Sequence, residues 1–253
     1  MKRSMLGVCA GALVFGSAGM AVADEEPHAD MLLSINPDGR LVSGVFDFDE
    51  GKILSLSQRV YEAEFDEFGT TDEPGFNAVT QGNLPGGFTA LPGNQSVTFN
   101  APSFSVEGVE ANLFYWDAVG DTVNFQPSGT MLNVSKAPNN IFSVDLDGSA
   151  NDVDGFEIES TAGDGFLHKH IDFSLADGAG SAEGIYLWAF TVHVGDDLTT
   201  EPVFFVHAFG NIDEEQHELA AEFVEANVVP GPGVVPALLA ASAGAMSLRK
   251  RRN

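Results

Sequence analysis

Short apolar runs, broken at close intervals by glycine, proline, asparagine and aspartate, fill residues 24–228 and constrain the fold more than any other feature of the sequence. Several runs alternate apolar with polar side chains, as at positions 97–99 and 156–158, which is the two-residue period of a half-buried strand. Chains built from many such segments fold as packed antiparallel sheets. The sequence therefore predicts one all-β domain over residues 24–228, a β-sandwich or a jelly roll.

The apolar runs give the predicted positions of the strands. They are residues 30–35, 39–48, 52–61, 96–99, 111–116, 121–125, 129–134, 141–146, 155–159, 167–175, 184–194 and 202–209. One short helix is predicted over residues 213–226, because Leu219, Phe223 and several alanines recur there at helical spacing. The proline- and glycine-rich segment 83–94 is too short to separate two cores, which favours a single domain.

The N-terminal 23 residues have the pattern of a secretory signal peptide. Lys2 and Arg3 form a basic start, residues 5–20 form an apolar stretch, and Ala21-Val22-Ala23 is a small-x-small cleavage site. Acidic residues begin directly afterwards at Asp24. We therefore expect residues 1–23 to be removed and the mature protein to be exported.

The C-terminal segment 229–253 has three parts: alternating proline and glycine, the apolar run Val234–Leu248, and a basic cluster at residues 249–252. The apolar run is shorter than the about 20 residues that usually span a bilayer, so it is expected to anchor the chain only transiently. This layout resembles the C-terminal sorting signal of the PEP-CTERM class, with Pro230-Gly231-Pro232 in place of Pro-Glu-Pro. The resemblance implies an exosortase-type sorting enzyme as a partner and a place at the cell surface or in the extracellular matrix. The basic residues after the apolar run fit the positive-inside rule, which would leave the preceding domain outside the cell.

The predicted domain is strongly acidic. Residues 24–228 hold five basic and 37 acidic residues, a net charge of −32. Such a surface repels phosphate backbones, which excludes nucleic acid as a partner, and attracts cations. The only cysteine is Cys9, inside the predicted signal peptide, so the mature chain forms no disulfide.

Two of the six histidines form a His-x-His pair, His168 and His170. On a strand, residues two apart lie on the same face, so both imidazoles can reach one metal ion. The alternative is a pair of exposed or hydrogen-bonded histidines. His193, by contrast, lies within an apolar run, where a hydrogen-bonded structural histidine is the favoured interpretation.

Four segments resemble known families of exported proteins. Residues 168–175, followed by residues 184–188, resemble the surface-anchored repeat family of actinobacteria, in which a histidine-containing strand precedes a Gly-x-Tyr strand. His28-Ala29-Asp30 and residues 73–76 resemble the PEP-CTERM proteins of cyanobacteria that are repressed by the zinc-uptake regulator. The resemblance implies a β-rich exported protein that binds a divalent metal, zinc first, or serves in metal homeostasis, and it implies no established catalytic activity.

The same resemblance implies the ligands. By position, it implies His28, His168 and His170, with His207 or His217 as the candidates for a fourth ligand. Asp30 and Asp172 alternate with these histidines, so they are candidate carboxylate ligands or acceptors for imidazole N–H groups.

A cupin-like metalloenzyme is one alternative. Gly163, His168, His170, His207 and Asn211 resemble the cupin layout, although no glutamate follows His170 at the expected distance. No nucleophile or phosphate-loop motif is present, which further favours binding over catalysis.

A structural or adhesive component of the extracellular matrix, without a metal, is the other alternative. Tyr115, Trp116 and Trp188 would then be candidates for stacking on an extracellular polysaccharide, although aromatic side chains in apolar strands more often belong to the core. The acidic run at residues 145–155 is a candidate calcium site, but Phe156 occupies the position where an EF-hand requires glutamate. A turn between strands is the favoured interpretation of this run.

Overall fold

Nineteen strands and one α-helix make up the regular structure of this protein, for which a computed structural model describes residues 29–136 and 141–230. The predicted signal peptide, His28, and the predicted sorting segment beyond residue 230 lie outside the described residues. The prediction of an all-β domain with one helix near its C-terminal end is confirmed.

The strands follow one another with short connections and two single 3-10 turns at Gln81–Asn83 and Gly178–Gly180. In chain order they are β1 Ala29–Ile35, β2 Leu41–Asp47, β3 Lys52–Ser55, β4 Val60–Glu64, β5 Thr70–Thr71, β6 Phe76–Ala78, β7 Ser96–Ala101, β8 Phe104–Val106, β9 Val109–Ala111, β10 Leu113–Trp116, β11 Gln126–Pro127, β12 Leu132–Lys136, β13 Phe142–Leu146, β14 Val153–Ser160, β15 Leu167–Lys169, β16 Asp172–Leu175, β17 Gly184–Val194, β18 Leu198–Thr199 and β19 Val203–Phe209. The helix α1 follows at Glu214–Asn227.

A five-stranded sheet with the order β15-β6-β1-β2-β3 positions the candidate site. β1 pairs antiparallel with β2 and parallel with β6, and β6 pairs antiparallel with β15. Met31, Phe76 and Leu167 from the three adjacent strands all point into the main core. Because side chains alternate along a strand, their neighbours Asp30, Asn77 and His168 lie on the opposite face of the sheet.

An eight-stranded sheet forms the other layer of the sandwich. Its main path is β11-β10-β17-β19-β4, and β7, β14 and β18 extend it from the long strand β17. A four-stranded sheet, β13-β12-β16-β5, packs beside the five-stranded one, and β8 and β9 form a separate pair. Trp188, Phe205 and Phe173 join these sheets in the main core, where the Trp188 and Phe205 rings stack at 5.5 Å.

The helix covers the outer face of the eight-stranded sheet. Ala220, Ala221 and Val224 of α1 are buried in a second apolar cluster with residues of that sheet. The Nε2–H group of His217 donates a hydrogen bond of 2.8 Å to the carbonyl oxygen of Val206, which ties the helix to β19. No helix in the described part of the chain is long and apolar enough to cross a bilayer.

Three strand predictions differ from the structure. Residues 52–61 form the end of the five-stranded sheet, β3, and the start of β4 in the eight-stranded sheet, instead of one strand. Residues 121–125 form no strand, although Val123 and Phe125 bury their side chains in the second apolar cluster. Residues 167–175 form two strands instead of one, because β15 pairs in the five-stranded sheet and β16 in the four-stranded sheet. His170 therefore lies in the link between two sheets.

The two tryptophans are part of the core. Trp116 is 2% exposed and Trp188 is fully buried, so neither is placed to stack on a sugar. Tyr115 is only partly buried, and its hydroxyl donates to the carbonyl oxygen of Glu183.

Candidate metal centre

The candidate site lies on the face of the five-stranded sheet that points away from the main core. Asp30 comes from β1 and His168 from β15, and the two strands flank β6. His170 follows the end of β15 directly. The pairing of β1 and β15 with β6 thus brings together residues that are about 140 positions apart in the chain.

Three ligand atoms meet in this site. The Nε2 atom of His168 is 3.2 Å from the Nε2 atom of His170 and 3.2 Å from Oδ2 of Asp30. The Nε2 atom of His170 is 3.8 Å from Oδ1 of Asp30. Two ligands that lie about 2.0–2.1 Å from a zinc ion at a tetrahedral angle are about 3.3 Å apart. Two of the three separations therefore match zinc coordination, and the third, which is measured to the other carboxylate oxygen, is longer by 0.6 Å.

The hydrogen bond of the other nitrogen of His170 sets its tautomer. Nδ1 lies 3.0 Å from the carbonyl oxygen of Asp72, and since a carbonyl oxygen only accepts, Nδ1 carries the proton. In the neutral ring, the lone pair of Nε2 then lies on the side of His168, whose Nε2 atom is 3.2 Å away. The carboxylates of Asp72 and Glu73 each lie 3.8 Å from Nδ1, on the side of the ring that faces away from His168.

Asp30 is held in place by its neighbours on β6. Its side chain is fully buried, and Oδ1 accepts a hydrogen bond of 3.1 Å from the backbone N–H of Gly75. The side-chain amide nitrogen of Asn77 lies 3.5 Å from Oδ2. A buried carboxylate with fixed orientation is a good ligand because little freedom is lost when it binds an ion.

Gly75 leaves the space that the site occupies. A Cβ atom built at this position would lie 2.6 Å from Oδ1 of Asp30 and 2.6 Å from Nε2 of His170. Any residue other than glycine would therefore displace one of these side chains.

The site opens to solvent beside an aromatic ring. The side chains of His168 and His170 are 28% and 22% exposed. Phe48, itself 42% exposed, stacks on the imidazole of His168 with 4.1 Å between ring centroids and an angle of 18°.

The structure does not bring His207 to this site. Its side chain is fully buried in the main core, where its ring lies 4.4 Å from that of Trp188 and 5.4 Å from that of Phe65. Within the described residues, neither ring nitrogen of His207 has a hydrogen-bond partner. Burial, followed by the nearby His217, holds the pKa of His207 well below its usual value, so the ring is neutral.

The other predicted ligands also lie apart from the pair. His217 uses Nε2 in its hydrogen bond to β19 on the outer face of the eight-stranded sheet. His28 lies just outside the described residues, so its contribution stays a prediction. Asp172 belongs to neither of the two groups of convergent His, Asp and Glu ligands among the described residues, which are Asp30-His168-His170 and Asp72-Glu73-His170.

The acidic run at residues 145–155 is used for turn geometry. Oδ1 of Asp147 accepts hydrogen bonds from the backbone N–H of Ser149 and from the side-chain amide of Asn112, and these bonds lower the pKa of Asp147. Among the described residues, no three carboxylates of this run bring oxygen atoms within 4.8 Å of one another.

Sequence reasoning identified His168, His170 and Asp30 but assigned no role to Gly75 or Asn77. The segment 73–76 was a visible signal, since it carries one of the family resemblances, yet its place beside Asp30 depends on the parallel pairing of β1 with β6. No family model, curated protein or solved structure matches the chain. The geometry of the site must therefore carry the functional argument.

Proposed function

We propose that this protein is exported and binds a divalent metal ion, zinc in the first place, through Asp30, His168 and His170. The observation that carries the proposal is the convergence of one carboxylate oxygen and two imidazole nitrogens at ligand separation. Two separations of 3.2 Å agree with the spacing of about 3.3 Å expected around tetrahedral zinc.

A metal ion accounts for this geometry better than hydrogen bonds do. The Nε2 atom of His168 lies 3.2 Å both from Nε2 of His170 and from Oδ2 of Asp30. A single proton on that nitrogen can point to only one of the two acceptors. A cation at the centre is shared by all three lone pairs at once.

The donor set favours an exchangeable ion over a structural one. Structural zinc sites are usually closed by four cysteine or histidine ligands, whereas this centre offers two histidines and a carboxylate. Both histidine ligands are partly exposed to solvent, and the net charge of −32 over residues 24–228 concentrates cations near the site. The site therefore suits the capture and release of a metal at the cell surface. A role in metal homeostasis follows from these properties.

Two histidines with one carboxylate are also the donors of non-haem ferrous enzymes, so a metalloenzyme is the second candidate. The partly open site favours it over a closed structural centre. The two candidates differ in the metal: zinc in protein purified from its native host supports binding, and iron with turnover in a substrate screen supports the enzyme.

Zinc titration of the purified full-length protein, stripped with a chelator and monitored with a competing chromophore, tests the proposal. We expect one tight site, lost in the double variant His168→Ala/His170→Ala and in Asp30→Ala, and weakened by acid because protonated imidazole does not coordinate. His193→Ala is the matched control, since this half-buried histidine hydrogen-bonds to Thr199 in another sheet. Undiminished zinc affinity in the double variant would overturn the proposal and favour the metal-free matrix component.

Export is tested separately by intact-mass analysis of protein from the native host. We expect a species that begins at Asp24 and lacks the basic cluster at residues 249–252, because the two predicted processing signals are independent. An unprocessed mass for residues 1–253 would contradict this part of the proposal.

A further inference from the structure

One buried polar atom beside the candidate metal centre has no hydrogen-bond partner within the described residues. Asn77 is fully buried, and no hydrogen-bond donor among the described residues reaches its side-chain oxygen Oδ1. A buried carbonyl oxygen without a hydrogen bond destabilises the folded state, because it has lost its bond to water and gained none in return. Natural structures therefore rarely keep one without a reason, and a ligand is one such reason.

Asn77 occupies the middle of the floor of the site. It lies directly opposite His168 in the pairing of β6 with β15 and next to Leu32 in the pairing with β1. Opposed residues in an antiparallel pair have Cβ atoms about 4.5–5.5 Å apart, so Asn77 and His168 share one face at short range. Gly75, two residues earlier on the same face, contributes no side chain.

The amide group of Asn77 is also at ligand distance from Asp30. Its nitrogen Nδ2 lies 3.5 Å from Oδ2 of Asp30, which is long for a hydrogen bond but close to the about 3.3 Å between neighbouring zinc ligands. A half-turn of the amide plane exchanges Nδ2 and Oδ1 while the atoms occupy nearly the same space. After this rotation the oxygen faces the centre, and coordination of the ion replaces the 3.5 Å contact between Nδ2 and Oδ2 of Asp30, which the rotation gives up.

We infer that Asn77 is the fourth protein ligand of the metal, through its amide oxygen, an inference that rests on the proposed function. The centre then has two nitrogen and two oxygen donors, of which only Asp30 is charged. An amide oxygen is a hard donor, so its presence shifts the preference of the site from soft ions toward harder divalent ions. The role of Asn77 as a ligand also explains why a polar residue is buried at this position of β6.

The test uses the purified full-length protein with zinc, for affinity, and with cobalt(II), whose visible absorption reports the donor set. Asn77→Leu keeps the shape but removes the oxygen, and we expect about 10- to 100-fold weaker zinc binding and a changed cobalt spectrum. Asn77→Asp offers a stronger oxygen donor and should bind zinc at least as tightly as the natural protein. Asn133→Leu is the matched control, since its amide also donates to a carboxylate, that of Asp145 at 2.7 Å.

Each outcome decides the inference. Natural zinc affinity in Asn77→Leu, or weaker binding with an unchanged cobalt spectrum, would show that Asn77 is no ligand. If Asn77→Leu does not fold, Asn77→Asp decides, because weaker zinc binding in that variant also overturns the inference. Loss of zinc in His168→Ala/His170→Ala with normal binding in both Asn77 variants would reject only this inference, whereas equal binding in all variants would reject the proposed function itself.

Discussion

Gly75→Ala should disable the candidate metal centre with a single methyl group while leaving the fold intact. The added Cβ atom would lie 2.6 Å from Oδ1 of Asp30 and 2.6 Å from Cε1 and Nε2 of His170. Non-bonded heavy atoms come to rest at about 3.5 Å or more, so these groups must move apart by about 0.9 Å. Both are ends of side chains, so the backbone need not shift.

The displacement exceeds what a metal centre tolerates. Ligand distances in a working site hold to about 0.2 Å, several times less than the movement that the methyl group requires. We therefore expect the zinc affinity of Gly75→Ala to fall at least about 100-fold, which corresponds to about 2.8 kcal/mol. Calorimetric titration of zinc into the metal-free protein measures the change.

Gly82→Ala is the control for this substitution. No atom lies within 4 Å of a Cβ built at Gly82, and the residue belongs to the neighbouring 3-10 turn. We expect natural zinc affinity in this variant and, without metal, similar melting temperatures in both variants. Natural zinc affinity in Gly75→Ala would refute the assignment of the site, because ligands around a bound ion cannot accommodate the methyl group.

Two further predictions concern stability. Burial lowers the pKa of His207, so below a pH of about 6.5 the unfolded chain binds a proton that the folded protein excludes. The free energy of unfolding should therefore fall with acid by up to about 1.4 kcal/mol per pH unit. When urea unfolding is measured from pH 8 to 5, the free energy of unfolding should depend less steeply on pH in His207→Phe, and an equal dependence in both proteins would contradict this. The net charge of −32 over residues 24–228 should make the melting temperature rise with sodium chloride, since salt screens self-repulsion; a melting temperature independent of salt, followed by calorimetry, would argue against it.

The local pattern of apolar and polar residues predicted most of the strands, because a strand with one face in the core alternates apolar and polar side chains. The strand at residues 184–194 was predicted with its observed bounds, since it is apolar on both faces and ends at glycines 184 and 195. The helix was predicted within one residue at either end, and its buried alanines explain the signal. The break between β15 and β16 could not be predicted, because it depends on which sheet each half joins.

The candidate site was predictable only in part, because some of its residues are close in the sequence and others are brought together by long-range pairing. The spacing of His168 and His170 is local and was visible in the sequence. The closeness of Asp30 depends on β6 lying between β1 and β15, a long-range pairing that no local pattern encodes. His207 resembles a ligand in the sequence, but it faces the aromatic core because it alternates with Val206 and Ala208 along β19.

The place of His170 between two sheets gives a bound ion a mechanical role. An ion held by Asp30 and by the pair His168 and His170 would close a loop of about 140 residues, in a chain whose only cysteine is Cys9. An ion that binds the folded protein and not the unfolded chain stabilises the fold by about 2.7 kcal/mol when the free metal is at 100 times its Kd. Zinc would thus act as a removable clasp that ties the five-stranded sheet to the link leading to the four-stranded sheet, and the supply of metal would set how long each molecule lasts.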